Sequence, residues 1–271
     1  MDKNFYINES NIRISFTCTE KPEHKNFQMH MHDFLELYYF VSGSGTYVVE
    51  GTEYKLETGD IILLNSSEAH YFKLDKTVPY TRLTILFDRD LFQNLDEEDF
   101  LLAPFQNREN GHNNQYKNYD FESSTHTILM NHLLTNVSNK KLQTISYFLP
   151  LLYEIAVLFE NRENIPSNNS LARDIIKYIN NNYLQELTLD DLCSTFNISK
   201  THLCRLFKNA TGATINNYII TKRLIYANEL MKLGCLPTKA ALLSGFNDYT
   251  IFYKSYKKRY QISPSSNKSK I

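Results

Sequence analysis

Three residues near the start of the chain have the types and spacing of a ligand set. His30, His32 and Glu36 form the pattern HxHxxxE, and Gly43 follows it. In a β-strand, side-chain alternation would place the two imidazoles and the carboxylate on one face. Such a set can hold a divalent metal ion, or it can form hydrogen bonds to a small molecule.

A second segment, GDIILLNSSEAHYF, supplies another imidazole at His70. Together the two segments resemble the paired motifs of cupins. Metal-binding cupins use two His and a Glu from the first motif and a His from the second. The resemblance implies that the two segments lie close together in a small β-barrel or sandwich.

The strands that must position these residues are predicted by the pattern of residues 12–87. Short segments such as LELYYFV, GTYVVEG and DIILLN are rich in β-branched and aromatic residues, and turn-forming residues separate them. Regular short strands predict an antiparallel sandwich or barrel. Tyr38 is one of many aromatic residues on these strands. Inward aromatic rings beside His and Glu suit a sugar, by stacking and hydrogen bonding, and the same set would suit another polar metabolite.

Helical spacing replaces the strand pattern after residue 120. The run from Ile145 to Phe159 is apolar nearly all round, so it must be buried against the sandwich or in a subunit interface. Pro150 within this run predicts a kink or a position in the first turn. The polar residues that follow predict a linker. The expected organisation is therefore a strand-rich domain at 1–120, a helical dimerisation segment at 121–160, a linker at 161–170 and a C-terminal domain at 171–271.

Charge is divided unequally along the chain. The whole sequence has 29 basic and 30 acidic residues, a formal net charge of −1. Residues 1–170 contain 14 basic and 24 acidic side chains, whereas residues 171–271 contain 15 and 6, so the two parts carry −10 and +9. A strongly basic C-terminal part indicates nucleic acid or another anionic surface as a partner.

The basic part reads as about seven helices and contains an internal repeat. LCSTFNISKTHLCRLFKNATGATI and AALLSGFNDYTIFYKSYKKRYQISP align at an offset of 48 residues before a turn and 49 after it. Asn197 and Gly245 lie at the turns, where a left-handed backbone is easiest for Asn or Gly. Ser199 and Asp248 follow as N-caps of the next helix. Each copy thus predicts a helix-turn-helix, whose second helix enters the DNA major groove.

The second helix of each copy is basic and contains no acidic residue, as phosphate neutralisation requires. A predicted helix of about 19 residues separates the copies and spans roughly 28 Å. That length is near one turn of DNA, about 34 Å, so the recognition helices could occupy successive major grooves. The expected core residues are Leu203, Leu206, Phe207, Phe252 and Tyr256. The expected DNA contacts are Lys200, Thr201, His202, Arg205, Lys208, Tyr249, Thr250, Ile251, Tyr253, Lys254 and Lys257.

The C-terminal part resembles the DNA-binding module of the AraC/XylS family of bacterial transcription regulators. The segments that carry the resemblance are SKTHLCRLFKNATGATI, KRLIYANELM and GFNDYTIFYKSYKKRYQISP, within about 95 residues. The sequence departs from the family at Gln261, where Gly is usual, and at Ala240, which replaces a larger aliphatic residue. Its ending, SSNKSKI, also lacks the usual Tyr-Arg. Gln261 is expected to loosen the turn after the second recognition helix, without loss of DNA binding.

The resemblance implies an α+β protein. An N-terminal antiparallel cupin-like β-sandwich or barrel with dimerisation helices would precede an all-α domain with two helix-turn-helix motifs. It also implies a homodimer that binds promoter DNA, works with RNA polymerase and usually activates transcription. Cupin-type sensor domains in this family generally bind a small molecule without metal. We therefore expect no cofactor and no catalysis, and we expect effector binding by His30, His32, Glu36, Tyr38 and His70.

Two alternatives remain open at this point. The chain could be a metal-dependent cupin enzyme with a DNA-binding tail, or a DNA-binding dimer that responds to no ligand. Composition narrows the other classes, because no run of 18 apolar residues predicts a membrane span and the N-terminus does not read as a secretory signal. Four cysteines without CxxC spacing favour a reduced, cytoplasmic setting.

Overall fold

Two compact units make up the chain in the computed structural model. The first contains Met1–Gln28 and Phe34–Asn168, and the second contains Met29–Asp33 and Asn169–Ile271. Most of the expected linker, from 163 to 169, lies outside the described residues. The structure describes residues 5–8, 11–22, 28–74, 78–92, 94–96, 98–121, 124–135, 141–162 and 170–266.

The strands described in the first unit form two antiparallel sheets, as the strand pattern predicts. The larger sheet has the order β1-β2-β8-β3-β6-β9, and the smaller has the order β5-β4-β7. The short strand β9 was not predicted from sequence. The strand bounds are β1 Phe5–Asn8, β2 Ile12–Thr19, β3 Leu35–Ser42, β4 Gly45–Val49, β5 Thr52–Lys55, β6 Ile61–Leu64, β7 His70–Leu74, β8 Tyr80–Phe87 and β9 Gln115–Tyr116.

Side-chain alternation along β3 divides its residues between two cores. Leu35, Leu37 and Tyr39 pack in a core shared with helices, whereas Tyr38 and Phe40 pack in a core shared with the smaller sheet. All five side chains are buried. The larger sheet is therefore covered on both faces, which is why β3 reads as a nearly continuous apolar run.

Three α-helices complete the described part of the first unit: α1 Ala103–Gln106, α2 Thr125–Thr135 and α3 Lys141–Glu160. The Phe148 ring of α3 packs edge to face on Phe87, with 5.1 Å between ring centroids. Pro150 lies in the interior of α3, so the alternative that placed it in the first turn was wrong. Burial of α3 against the sheet explains the apolar composition of one of its faces.

A buried ion pair joins the β6–β7 connection to the segment after α1. Both guanidinium Nη atoms of Arg108 lie 2.7 Å from the carboxylate oxygens of Glu68, and both side chains are almost fully buried. The Glu68 carboxylate also accepts hydrogen bonds from Asn65, Gly111 and Asn114. Burial alone would raise the pKa of Glu68, but Arg108 and these hydrogen bonds hold it below its ordinary value.

Six α-helices and a closing 3₁₀ turn occupy residues 170–266 of the second unit. The sequence pattern predicts about seven helices. In the structure the 3₁₀ turn at Pro264–Ser266 takes the place of a seventh helix. None of the helices in the described part combines the length and apolar composition needed to cross a bilayer. The helix bounds are α4 Leu171–Asn182, α5 Leu189–Phe196, α6 Lys200–Thr211, α7 Ile215–Lys232, α8 Pro237–Leu243 and α9 Tyr249–Tyr260.

The predicted helix caps are confirmed in both copies of the repeat. The Ser199 hydroxyl accepts a hydrogen bond from the backbone N–H of His202 at the start of α6. Asp248 accepts one from the backbone N–H of Thr250 at the start of α9. These hydrogen bonds satisfy N–H groups that have no partner within the helix, and so they fix where each recognition helix begins.

The turns before these caps use the left-handed backbone, as predicted. Asn197 has a φ of +50° and Gly245 a φ of +81°. At Gly245 a second constraint acts, because an added Cβ would lie 2.4 Å from the carbonyl oxygen of Leu184. Gln261, at the end of α9, also has a positive φ, of 62°. Its left-handed backbone shows why Gly is the usual residue at this position in the family it resembles.

The segment Met29–Asp33 packs as part of the second unit. The Asp33 carboxylate accepts a hydrogen bond of 2.8 Å from the Tyr260 hydroxyl and one of 2.6 Å from the side-chain amide of Asn228. Burial, followed by the charge of Asp33, raises the pKa of Tyr260. The phenol therefore stays protonated and acts as a donor at neutral pH.

Candidate DNA-binding surface and effector site

The first recognition helix, α6, has a buried face and an exposed face. Leu203 and Phe207 are fully buried, and Phe207 packs edge to face on Tyr218 of α7. Leu206, expected in the core, is half-buried. The helical period turns the opposite positions outward. Among the predicted DNA contacts on this helix, His202 is half-buried and the exposed ones are Lys200, Thr201, Arg205 and Lys208.

The second recognition helix, α9, is arranged in the same way. Phe252 and Tyr256 are fully buried, and the Phe252 ring packs on Phe246 with 5.3 Å between ring centroids. Every predicted DNA contact on this helix is exposed, and these residues are Tyr249, Thr250, Ile251, Tyr253, Lys254 and Lys257. The buried residues hold the helix, and the exposed ones are free to meet the groove of DNA.

Two further exposed residues complete these surfaces, and the sequence interpretation missed both. Asn209 extends the outer face of α6 and Lys258 extends that of α9. They occupy equivalent positions, because the copies are offset by 49 residues in this part of the repeat. The same alignment that paired Lys208 with Lys257 would have found them.

Helix α7 separates the two recognition helices and packs against both copies of the repeat. Its 18 residues span about 27 Å. Tyr218 near its start contacts Phe207 of α6, and Asn228 near its end accepts a 2.6 Å hydrogen bond from the Tyr256 hydroxyl of α9. Arg223 donates a 2.6 Å hydrogen bond from Nε to the carbonyl of Tyr183. These contacts tie α7 to both copies of the repeat.

A second group of polar residues lies inside the sandwich of the first unit. Glu36 and Tyr38 of β3 and His70 of β7 are all buried. The His70 Nε2 atom lies 3.5 Å from a carboxylate oxygen of Glu36, and its Nδ1 lies 2.9 Å from the carbonyl oxygen of Glu68. Three of the five residues predicted to bind the effector, Glu36, Tyr38 and His70, therefore have their side chains in the sandwich interior.

Three neighbours of this group were not predicted as site residues. Tyr47 stacks on His70 with 6.0 Å between ring centroids, and the Tyr80 hydroxyl is hydrogen-bonded to that of Tyr38. The Arg82 guanidinium lies 5.1 Å from the centroid of the Tyr80 ring. The strand register explains their convergence, and the sequence alone did not determine that register. We call Glu36, Tyr38, Tyr47, His70, Tyr80 and Arg82 the sandwich cluster.

The electrostatics of the sandwich cluster keep its phenols protonated. Burial raises the pKa of Tyr38 and Tyr47 well above the ordinary value, and the charge of Glu36 adds to the effect at Tyr47. Burial also raises the pKa of Tyr80 to about 12. Three phenol hydroxyls, a carboxylate, an imidazole and a guanidinium can together donate and accept many hydrogen bonds. This chemistry suits a ligand that carries several hydroxyl groups.

His30 and His32 do not share a strand face with Glu36, so the alternation argument was wrong. Strand β3 begins at Leu35, and both histidines precede it in the segment that packs with the second unit. Their rings lie 6.2 Å apart. The hydrogen bonds of Asp33 hold this segment, and they interrupt the alternation on which the prediction relied.

Comparison with known families identifies both units. A family model described as "AraC-like ligand binding domain" matches residues 14–122, and one described as "Helix-turn-helix domain" matches residues 192–269. The first match covers most of the β-sandwich, and the second covers the helices from α5 to α9. An AraC-like ligand-binding domain followed by a helix-turn-helix domain defines a class of transcription regulators.

Curated relatives align over most of their length. The "HTH-type transcriptional activator RhaS" of Mannheimia succiniciproducens is 25% identical over 247 residues, covering 88% of each chain. The "Msm operon regulatory protein" of Streptococcus mutans is 24% identical, over 98% of this chain and 96% of its own. The "Lactose operon transcription activator" of Staphylococcus xylosus is 25% identical, over 84% of this chain and 81% of its own.

The chain has the two domains of an AraC-type transcription regulator. It combines a ligand-binding domain of antiparallel β-structure with a helical DNA-binding domain, and this confirms the α+β fold class predicted from sequence.

Proposed function

We propose that this protein activates transcription from promoter DNA in response to a sugar. The observation that carries the DNA-binding part is the pair of recognition helices. Each buries its apolar face and presents basic residues outward, and α7, about 27 Å long, connects the two copies of the helix-turn-helix. Lys and Arg at these positions would neutralise phosphates of successive major grooves on one side of the duplex.

Titration of promoter fragments at several salt concentrations tests this proposal. Arg205→Ala and Lys254→Ala should each weaken binding and lower the slope of log affinity against log salt by about 1. Lys177→Ala is the matched control, because it removes an exposed lysine from α4, which is not a recognition helix. If both substitutions left the affinity and the salt slope unchanged, the proposed DNA-binding surface would be wrong.

The proposal of a sugar effector is supported by the sandwich cluster and by the name of one relative. The name that mentions a sugar is that of the lactose operon activator, and the RhaS name supports the activator role. Five of the six side chains of the cluster are buried and Arg82 is half-buried, so we expect a ligand that reaches the cluster to open the sandwich. A ligand that fills the opened sandwich binds the open state more tightly than the closed state. Such a difference in affinity between two states is what an allosteric effector requires.

Two adjacent tyrosines offer a matched test of the effector site. Tyr38 faces the sandwich cluster, whereas Tyr39 faces the other core. Thermal-shift and calorimetric titration with pentoses, hexoses and disaccharides should identify a ligand. Tyr38→Phe should weaken its binding by up to about tenfold, the equivalent of one hydrogen bond, and Tyr39→Phe should not. Equal effects of the two substitutions, or no ligand among the sugars, would contradict the proposal.

We also propose that the protein is a homodimer that contacts RNA polymerase. The outer face of α3 supports the dimer, since it carries the exposed apolar side chains Leu142, Tyr153 and Val157. Next to Tyr153 is a groove lined by Leu95 and Phe100.

Sedimentation should find a dimer, and Tyr153→Glu should dissociate it. A wild-type monomer at micromolar concentration, with and without DNA, would contradict the dimer. Transcription in vitro with purified RNA polymerase tests the second contact.

For the remaining properties we propose a cytoplasmic protein without metal or catalysis. The support for the compartment is that no disulfide joins the four cysteines, all of which lie in the described residues: Cys18, Cys193, Cys204 and Cys235. The proximity of Glu36 and His70 supports the alternative of a metal-dependent enzyme. Elemental analysis after loading with zinc, manganese and iron separates the two, because stoichiometric metal would overturn this part of the proposal.

A further inference from the structure

The two recognition helices present different chemistry at equivalent positions. Because the buried residues Leu203 and Phe207 correspond to Phe252 and Tyr256, each exposed position of α6 has a counterpart 49 residues later on α9. Thr201 and Thr250 are the same residue at one such pair. Lys208 and Lys257 are likewise identical, and Arg205 and Lys254 are both cationic. The pairs that differ in kind are Lys200 with Tyr249, His202 with Ile251 and Cys204 with Tyr253.

The difference is concentrated at the start of α9. Its first turns expose 41% of Tyr249, 53% of Ile251 and 36% of Tyr253, together with Thr250. Its lysines begin only at Lys254 and continue toward the C-terminus. In α6, by contrast, the charged and polar residues begin at the first position.

This division matters because the N-terminal residues of a recognition helix meet the base edges, whereas phosphate contacts flank them. In the major groove, the C5 methyl group of thymine is an apolar feature of a base edge. Side chains such as Ala, Phe or the methyl group of Thr contact it. Ile251 and Thr250 carry methyl groups at the exposed start of α9. They cannot form the bidentate hydrogen bonds by which Arg or Asn reads purines.

We propose that α9 reads thymine C5 methyl groups through Thr250 and Ile251, so that its half of the operator is specified by thymines. This inference rests on the proposed DNA-binding function and names the base feature that α9 recognises. In α6 the residue equivalent to Ile251 is His202, beside Arg205, and these two side chains read hydrogen-bonding edges. The two halves of the operator therefore differ in base composition, and the regulator binds in one orientation.

Replacement of thymine by deoxyuridine tests the proposal directly, because it removes only the C5 methyl group. Binding sites are first selected with the full-length protein from a random duplex library. Each thymine of the selected site is then replaced in turn, and affinity is measured at fixed salt. Loss of one buried methyl-sized group should weaken wild-type binding about fourfold at one or two thymines.

Substitutions on α9 assign the effect to its residues. In Ile251→Ala or Thr250→Ser the deoxyuridine penalty should disappear at a particular thymine, while other thymines keep theirs. Lys257→Ala is the matched control on the same helix. It should weaken binding to every duplex equally and leave the deoxyuridine penalty intact.

The outcomes separate this inference from the proposed function. A selected site at which deoxyuridine has no effect, or an effect that survives both Ile251→Ala and Thr250→Ser, would overturn the role given to α9 while leaving DNA binding in place. A protein that selects no sequence from the library would overturn the proposed function itself.

Discussion

The buried pair of Glu68 and Arg108 gives the sharpest prediction for the first unit. Glu68→Gln keeps the size of the side chain but removes its charge, and it leaves the Arg108 guanidinium buried without a counter-charge. Removal of one partner from a buried ion pair typically costs ~3–5 kcal/mol. The upper half of this range is expected, because the Glu68 carboxylate also loses charge-assisted hydrogen bonds from Asn65 and Gly111.

The pKa of Glu68 adds a pH dependence with a defined sign. Its folded pKa lies below the ordinary value of 4.5, so the stabilisation is fully present above that value. It is lost as the pH falls below 4.5 and through the folded pKa. The wild type should therefore lose stability in this acidic range by a contribution that is missing in Glu68→Gln.

Urea unfolding of the full chain, with hydrogen exchange measured by mass spectrometry, checks both statements. Exchange should increase in peptides of β6, β7 and the segment after α1, while peptides of α6 and α9 keep their protection. Glu68→Gln combined with Arg108→Met is the control, since it removes both charges and should recover part of the loss. A cost below about 1 kcal/mol, or a loss of protection confined to the second unit, would refute the reasoning.

Three further predictions concern the second unit. Gly245→Ala should destabilise it by at least about 2 kcal/mol, since the substitution combines a positive φ with a Cβ placed against the Leu184 carbonyl; unchanged urea unfolding would contradict this. Ser199→Ala should cost about 1 kcal/mol through loss of the α6 N-cap, and Ser199→Thr should recover most of it in the same unfolding assay. Gln261→Gly should leave DNA affinity unchanged within twofold, because Gly adopts the same left-handed backbone; a larger change in a binding titration would contradict this.

Much of the second unit could be predicted from sequence because its signals are local. A cap such as Ser199 acts within three residues, and a left-handed turn at Asn197 depends on that residue's own backbone. The burial of Phe207 and Phe252 follows from helical periodicity. The internal repeat then supplied the pairing of the two helix-turn-helix copies. The number of helices was less certain, since a short 3₁₀ turn has no periodicity to read.

The first unit was harder to predict because its cluster is assembled across strands. The alternation argument joined His30 and His32 to Glu36, although β3 begins only at Leu35. Nothing local to the motif indicates that Asp33 bonds to Asn228, nearly two hundred residues later. Equally, Arg82 enters the sandwich cluster only because β8 pairs with β3 in a particular register.

The sequence by itself determined the class of the protein, its strand-rich and helical parts, and the residues on the outer faces of α6 and α9. These depend on composition, periodicity and capping, which act over a few residues. Only the tertiary structure decided which side chains share the sandwich interior, which segment packs with Asp33, and how α7 holds the recognition helices. Those choices depend on the register of strands and on contacts between residues far apart in sequence. A local pattern cannot specify either of them.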